Sequence, residues 1–139
     1  MEINYFYEDI NEFELSETIS EWINKTITNE NKETGEINII FCSDEYLLKM
    51  NKEHLNHDYY TDIITFDYCQ GSLVSGDLFI SVDRVGENAK DFNVDFKNEL
   101  NRVIIHGVLH LIGYNDKTDD EQKEMTEKEN FYLNLLFNS

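Results

Sequence analysis

Two histidines in the C-terminal half are spaced so that one metal ion could join them. His106 and His110 are four residues apart in an apolar segment. Four residues of an α-helix advance about 400°, so both imidazoles project from one face, with Cβ atoms about 5–6 Å apart. That separation lets both rings reach one ion at about 2.0–2.1 Å. The spacing also fits two core histidines that only form hydrogen bonds, so it indicates a metal site without establishing one.

A third ligand has to come from outside this helix. Gly113 follows the helical segment at the place where a left-handed residue commonly ends a helix. The turn after it can fold Asp116 back toward the two histidines. Two histidines, one carboxylate and an open fourth position form a ligand set of catalytic zinc sites. Aspartate is also common in turns, so Asp116 has a second interpretation as a turn residue.

The residue after His106 restricts the chemistry of such a site. In the metalloprotease motif H-E-x-x-H this position is the general-base glutamate, and here it is Gly107. A metalloprotease-like hydrolase is therefore a distant alternative, although water activation by a metal needs no such glutamate. Glycine in a helix costs about 1 kcal/mol relative to alanine. We therefore predict that a strand backbone or the substrate approaches Gly107 closely.

The spacing of apolar residues along the chain predicts an α+β domain around the segment that contains His106 and His110. Residues 95–112 are apolar almost all round, which is typical of a buried helix. We predict a single domain over residues 1–139, a mostly four-stranded mixed sheet packed against about five helices, and a metal site on the buried central helix. The predicted strands cover residues 2–7, 36–42, 62–68 and 77–82, and a loop covers 54–61. The predicted helices cover 15–27, 44–52, 83–91 and 95–112, and a last helix follows. Ser43 is the predicted N-cap of the helix over 44–52, and Thr118–Glu121 is a capping box that begins the last helix.

The composition excludes several classes of protein. With 11 basic and 29 acidic residues among 139, the formal net charge is −18. That charge excludes a free-standing basic protein that binds nucleic acid by neutralising phosphates. Cys42 and Cys69 lack the spacing of a metal knuckle and are expected to be reduced thiols. No apolar run approaches the roughly 20 residues that span a bilayer, and residues 1–5 lack the basic start of a secretion signal. We therefore expect a cytoplasmic protein without a membrane partner.

Four stretches of the chain resemble one protein family. His106–Asp116 reads HGVLHLIGYND and is similar to the signature H-G-x-L-H-L-x-G-Y-D-H of the YbeY family, bacterial rRNA maturation endoribonucleases. Thr61–Phe66 resembles the family's T-D/N-V-L-S-F strand, and Gly76–Ile80 resembles its G-D-I/L-x-I strand. Asp119–Met125 resembles the acidic start of its last helix. The match spans about residues 36–137, and the eleven-residue signature is highly specific.

The resemblance implies an activity, a cofactor and partners. The implied activity is single-strand-specific, metal-dependent endoribonuclease cleavage in rRNA processing, at the 3′ end of small-subunit rRNA, together with ribosome quality control. One zinc ion per chain is implied, with His106 and His110 acting in catalysis through the metal and Asp116 as the third metal ligand. The implied partners are rRNA and the small ribosomal subunit, with basic ribosomal proteins or a ribosome-associated GTPase as further candidates.

Three positions depart from the family pattern. The family's usual third histidine is Asp116 here, the aspartate before it is Asn115, and an arginine implicated in activity is replaced by Leu55. Because leucine cannot clamp a phosphate, Lys52, His54 or His57 would have to supply a cation. We predict His54 as an additional catalytic residue, since it is adjacent to Leu55 and a histidine can become cationic beside a phosphate. Each of these three residues has the alternative interpretation of a solvated loop residue.

A different class of function stays open beside the nuclease. Leu55 and the net charge of −18 both favour a non-catalytic ribosome-assembly factor with a structural metal. In that case the acidic surface would bind basic ribosomal proteins. RNA cleavage that survives complete removal of the metal would exclude a catalytic metal.

Overall fold

The computed structural model describes residues 2–55 and 61–137, with the backbone only for Leu55 and Phe137. In these ranges the chain forms a four-stranded sheet and five helices, which confirms the predicted single α+β domain. The strands are β1 (Glu2–Glu8), β2 (Glu33–Cys42), β3 (Ile63–Asp67) and β4 (Leu73–Ser81), and the helices are α1 (Thr18–Asn29), α2 (Asp44–Leu55), α3 (Val82–Asp91), α4 (Phe96–Ile112) and α5 (Asp119–Phe137).

The sheet is mixed, as predicted, with the strand order β1-β2-β4-β3. β1 and β4 both run parallel to β2, and β3 pairs antiparallel with β4. The predicted start of the fourth strand at residue 77 is wrong, because β4 begins at Leu73 and includes Gly76. A Cβ atom on Gly76 would lie 2.5 Å from the carbonyl oxygen of Phe66 in β3. Gly76 therefore allows β3 and β4 to pack closely. The turn between these two strands contains Gly71, which has a φ of 58°.

The two faces of the sheet are covered unequally. Helices α1, α4 and α5 pack on one face around the main core, which contains Phe41, Leu78 and Ile80 from the strands. On the other face α2 covers a small cluster of Cys42, Leu47 and Ile64. Helix α4 is buried along most of its length, as predicted for the central helix. Among the described helices, none is both long enough and apolar enough to cross a membrane.

Local signals in the sequence fix several helix ends. The Ser43 hydroxyl accepts a hydrogen bond from the Tyr46 amide at 3.1 Å, so the predicted N-cap of α2 is confirmed. The capping box before α5 is also confirmed, because the Thr118 hydroxyl accepts from the Glu121 amide at 3.1 Å and the Glu121 carboxylate accepts from the Thr118 amide at 3.0 Å. Helix α2 continues past the predicted end near residue 52 to residue 55, so His54 lies in its last turn rather than in a loop.

Gly107 allows close packing between α4 and the sheet. A Cβ atom at this position would lie 2.7 Å from Cδ1 of Ile63 and 3.1 Å from both Cδ atoms of Leu78. The close neighbours are thus strand side chains, whereas a strand backbone or the substrate was predicted. The terminal methyl groups of these side chains come close because α4 lies directly on β3 and β4.

Replacing Gly107 with alanine is expected to destabilise the protein despite the better helix propensity of alanine. Overpacking a core costs about 2 kcal/mol, and the propensity gain returns about 1 kcal/mol, so the free energy of unfolding should fall by about 1 kcal/mol. Gly86 on α3 is the matched control, because a Cβ there meets no atom within 4 Å. Gly86→Ala should therefore raise stability by about 1 kcal/mol. Denaturant unfolding measures both, and a Gly107→Ala protein at least as stable as wild type would contradict the packing argument.

Candidate metal centre

Helix α4 and the turn after it bring three ligand atoms together. The Nε2 atoms of His106 and His110 lie 2.9 Å apart on one face of the helix. Gly113 ends the helix with a φ of 126°, and the turn returns the chain toward that face. Asp116 Oδ2 then lies 3.2 Å from His106 Nε2 and 3.3 Å from His110 Nε2. In the described part of the chain this is the one group of histidine, cysteine and acidic side chains whose ligand atoms converge in this way.

The hydrogen bonds of the two imidazoles fix which nitrogens face the centre of this group. His110 Nδ1 lies 2.9 Å from the carbonyl oxygen of Tyr114, which can only accept, so the proton of a neutral ring is on Nδ1. His106 Nδ1 lies 2.6 Å from Glu129 Oε2 and donates in the same way. When both rings are neutral, two Nε2 lone pairs and the Asp116 carboxylate therefore face one another without a proton. Three acceptors at this distance repel one another unless a proton or a metal ion lies between them.

The geometry of the three atoms suits a tetrahedral ion. Ligands at about 2.0–2.1 Å around a tetrahedral zinc ion are about 3.3 Å from one another, and the observed separations are 2.9–3.3 Å. The side chains of His106, His110 and Asp116 are 23%, 26% and 40% exposed. A substrate can therefore approach from the solvent side. The donor set and its spacing fit the predicted metal, while the identity of the ion stays a prediction.

Glu129 supports His106 from α5. Glu129 as a whole residue is 7% exposed, and its carboxylate accepts from Arg102 Nη1 through Oε1 at 2.8 Å and from His106 Nδ1 through Oε2. Burial by itself lowers the pKa of His106, but the Glu129 hydrogen bond and charge, with Asp116 and Asp62, outweigh it and raise the pKa. A carboxylate bound to the second nitrogen of a metal-ligating histidine fixes the ring and increases its basicity.

Glu30 supports the turn that carries the third ligand. Its carboxylate accepts a hydrogen bond from the Tyr114 hydroxyl at 2.5 Å and another from the Tyr132 hydroxyl, and it lies 3.3 Å from Lys128 Nζ. Because the carbonyl of Tyr114 holds His110, this network ties α1 and α5 to the turn after α4. Burial raises the pKa of Tyr132 to about 12.

Sequence reasoning missed Glu129 and Glu30. A signal existed for Glu129, because it lies on the inner face of α5 with Met125 and Tyr132, where a charged residue interrupts an apolar stripe. Glu30 lies at the end of α1, 84 residues from the tyrosine that it contacts, and no local pattern singles it out.

Among the described residues, the structure does not bring the predicted cationic side chains near position 55 into the group of three ligand atoms. His54 is an exposed residue of α2 and does not join the three ligands in the described structure. Its catalytic role stays a prediction. Lys52 is also exposed, while His57 and the side chain of Leu55 lie outside the described residues.

Replacing Glu129 with glutamine is expected to weaken metal binding by about 10–100-fold, the usual loss when the partner of a ligating histidine is changed. Glutamine keeps the shape of the side chain but removes the charge that favours the His106 orientation. Glu127 on the same helix is exposed, so Glu127→Gln is the matched control and should bind metal like wild type. Competition with a chelator of known affinity measures both. Equal affinities for the two variants would show that Glu129 does not support the site.

Comparisons with known proteins extend the likeness beyond the motif. A sequence model of the family described as Endoribonuclease YbeY matches residues 2–136. A Flavobacterium johnsoniae protein named Endoribonuclease YbeY is 52% identical over 127 residues, with 91% of each chain covered. A protein of the same name from Parabacteroides distasonis is 50% identical over 137 residues, covering 98% of this chain and 96% of the relative. The solution structure of a Thermotoga maritima protein has a similar fold, with a TM-score of 0.68, 29% sequence identity, and coverage of 94% of this chain and 87% of that one.

Proposed function

The chain belongs to the YbeY family, and from this premise we propose that it is a metal-dependent endoribonuclease. The observation that carries the proposal is the convergence of His106 Nε2, His110 Nε2 and Asp116 Oδ2 within 2.9–3.3 Å of one another. A divalent ion held by these atoms supplies Lewis-acid chemistry, which activates water and stabilises negative charge on a phosphate.

The protein's own residues have separate tasks in this proposal. His106 and His110 present unprotonated Nε2 atoms, because Glu129 and the Tyr114 carbonyl hold their Nδ1 protons. Asp116 contributes a negative charge, so the three ligands together carry a charge of −1 toward a divalent ion. The Glu30 network and Arg102 keep these groups in place before substrate binds. Such preorganisation means that little rearrangement is needed during the reaction.

We propose the finer features of the function from the ligand set and from the family resemblance. The ion is zinc, because two imidazoles and one carboxylate form a known catalytic zinc ligand set. The substrate is single-stranded RNA in an rRNA precursor, near the 3′ end of small-subunit rRNA, with a further role in ribosome quality control. The ligand side chains are only 23–40% exposed, and a single strand reaches a recessed site more easily than a duplex. The partners are the small ribosomal subunit and basic proteins bound to it, or a ribosome-associated GTPase, and the place of action is the cytoplasm.

The proposal is tested by metal analysis and RNA cleavage on the same preparation. Elemental analysis should find one zinc ion per chain, and a single-stranded RNA should be cleaved faster than its duplex. Cleavage should stop after treatment with a chelator and return when zinc is added. The salt concentration is held fixed, because binding to phosphates depends on salt. Undiminished cleavage by the metal-free protein would overturn the proposal.

The alternative hypothesis, a non-catalytic assembly factor, leads to a different expected result. The net charge of −18 favours binding to basic proteins over binding to RNA alone. If the protein holds zinc and binds small ribosomal subunits but cleaves no RNA in the presence of those subunits, the metal is structural and the assembly factor is the correct function.

A further inference from the structure

A groove between the first half of α4 and α5 leads away from the metal centre. Its volume is about 760 Å³, within the range of roughly 300–1,000 Å³ that is usual for clefts that bind small ligands. Glu99, Arg102 and Glu129 line both this groove and a smaller cavity that reaches His106. The groove is therefore continuous with the surroundings of the metal ligands.

Helix α4 carries a row of side chains from this groove to the ligands. Arg102 precedes His106 by four residues and Asn98 precedes Arg102 by four, so each is adjacent to the next along the helix surface. At a rise of 1.5 Å per residue, Asn98 lies about 12 Å from His106 along the helix axis. A nucleic-acid strand that is bound at the metal centre can thus extend along this row into the groove.

The groove offers little to a phosphate. Arg102 is the one basic side chain among the described residues that line it, and its guanidinium already donates to Glu129 at 2.8 Å and to Asn130 at 2.8 Å. Glu99 adds a further acidic side chain to the walls. Proteins bind phosphates with lysine and arginine side chains that neutralise the negative charge. The uncharged part of a nucleotide, its base, therefore fits this groove better than its phosphate does.

Phe92 provides an aromatic surface in the groove. Its side chain is 65% exposed, more than any other large apolar or aromatic side chain in the described part of the chain. The Phe92 ring contacts no aromatic ring of the described residues, so its faces are open to a ligand. Unpaired bases stack on such rings, because every base has a flat π face.

Three asparagine side chains line the same groove and can bind the edge of a base. Asn98 lies on α4, and Asn130 and Asn134 lie on α5. The amides of Asn98 and Asn134 form no hydrogen bond within the described structure, and Asn130 uses only its oxygen, which accepts from Arg102. An amide offers donors and an acceptor at once, and the edges of the bases also present both.

We propose that this groove is a base-binding subsite of the RNA substrate, where an unpaired base that flanks the scissile phosphate stacks on Phe92 and forms hydrogen bonds with the asparagine amides. This subsite rests on the proposed nuclease function, because that function makes RNA the strand that is bound at the metal centre. It also gives a physical reason for the preference for single strands. A base inside a duplex is stacked between its neighbours and cannot turn a face toward Phe92.

Binding of short RNAs tests the subsite separately from cleavage. The zinc-loaded protein is titrated with labelled 2′-O-methyl RNAs of about eight nucleotides, one made of uridine and one of dihydrouridine, and fluorescence anisotropy gives the Kd of each. Gel electrophoresis of the same samples checks that the RNAs are uncut. Both RNAs carry the same phosphates, but the dihydrouracil ring is not planar and stacks poorly. Wild type should bind the uridine RNA at least about fivefold more tightly, the smallest usual effect of stacking one base on an aromatic ring.

Variants of Phe92 decide whether this difference comes from the groove. Phe92→Ala should remove the difference between the two RNAs, and Phe92→Trp should keep it. Phe6 supplies the matched control, because it is an exposed phenylalanine of β1 on the face opposite to Tyr5 and Tyr7, which pack against the main core. Phe6→Ala should bind both RNAs like wild type. The effect of Phe92→Ala should be the same at low and high salt, because stacking releases no counterions from phosphates.

A change of Asn98 tests the hydrogen bonds of the subsite. Uracil and dihydrouracil have the same hydrogen-bonding edge, so Asn98→Ala should weaken the binding of both RNAs by a similar factor of about twofold to tenfold. No preference of wild type for the uridine RNA, or the same preference in wild type and Phe92→Ala, would overturn the subsite. If Phe92-dependent binding is found but no RNA is cleaved, the proposed nuclease function is wrong and the subsite stands. Cleavage of RNA by Phe92→Ala with an unchanged Kd would leave the nuclease function standing and remove the subsite.

Discussion

Replacing His110 with alanine should lower the metal affinity by more than about 100-fold and reduce RNA cleavage to background. The change removes one of the three atoms that converge within 2.9–3.3 Å. Loss of a ligand should exceed the 10–100-fold that is typical when only a ligand's partner is lost. Elemental analysis, chelator competition and a cleavage assay measure the effect on one preparation.

A nearby carboxylate provides the control for the ligand set. Asp120 is exposed in the first turn of α5, so Asp120→Asn removes an acidic charge four residues from Asp116 without touching the site. This variant should keep both metal and activity, and Asp116→Asn should lose most of both. If Asp116→Asn holds zinc as tightly as wild type, the third ligand has been assigned incorrectly.

Introducing arginine at position 55 should increase the rate of RNA cleavage by at least about tenfold. A preorganised donor aimed at developing negative charge typically changes a rate by about 100-fold or more, so at least a tenth of that effect is expected here. The physical reason is that arginine offers a planar, permanently charged donor to a phosphate, which Leu55 cannot do. Cleavage rates of wild type and Leu55→Arg are compared on one single-stranded RNA at fixed salt.

Two further variants separate charge from other effects. In Leu55→Gln the new side chain can form hydrogen bonds as arginine does but carries no charge. This variant should therefore cleave RNA at the wild-type rate. His54→Ala tests the histidine of α2 that we predict to be catalytic, and it should slow cleavage if His54 contacts the phosphate. A Leu55→Arg protein that is no faster than wild type would show that this position does not face the scissile phosphate.

Local patterns determined the part of this protein that carries the two histidines. The apolar run over 95–112 predicted a buried helix, and the spacing of His106 and His110 placed both rings on one face. Gly113 marked the helix end, because its φ of 126° is readily available only to glycine. These features depend on residues close in the sequence, so periodicity and capping rules were sufficient to find them.

Positions of strand starts and of the end of α2 were predicted less well, because tertiary contacts compete with local signals. The fourth strand was predicted to begin at residue 77, but β4 begins at Leu73 and includes Gly76, where the backbone of Phe66 comes close. Helix α2 extends to residue 55, and Lys52 and His54 in its last turn suit the negative end of the helix dipole. Neither outcome follows from the pattern of apolar residues alone.

Only the tertiary structure decided which groups surround the ligands. Glu129 meets His106 across 23 residues of sequence, and Glu30 meets Tyr114 across 84. Asp62 and Glu99 come from different elements and share one cavity with His106. Such contacts depend on how α1, α4, α5 and the sheet pack, and packing is set by the whole core rather than by any short segment. The sequence by itself therefore determined the candidate metal ligands and the family, while the fold decided the hydrogen bonds that orient those side chains.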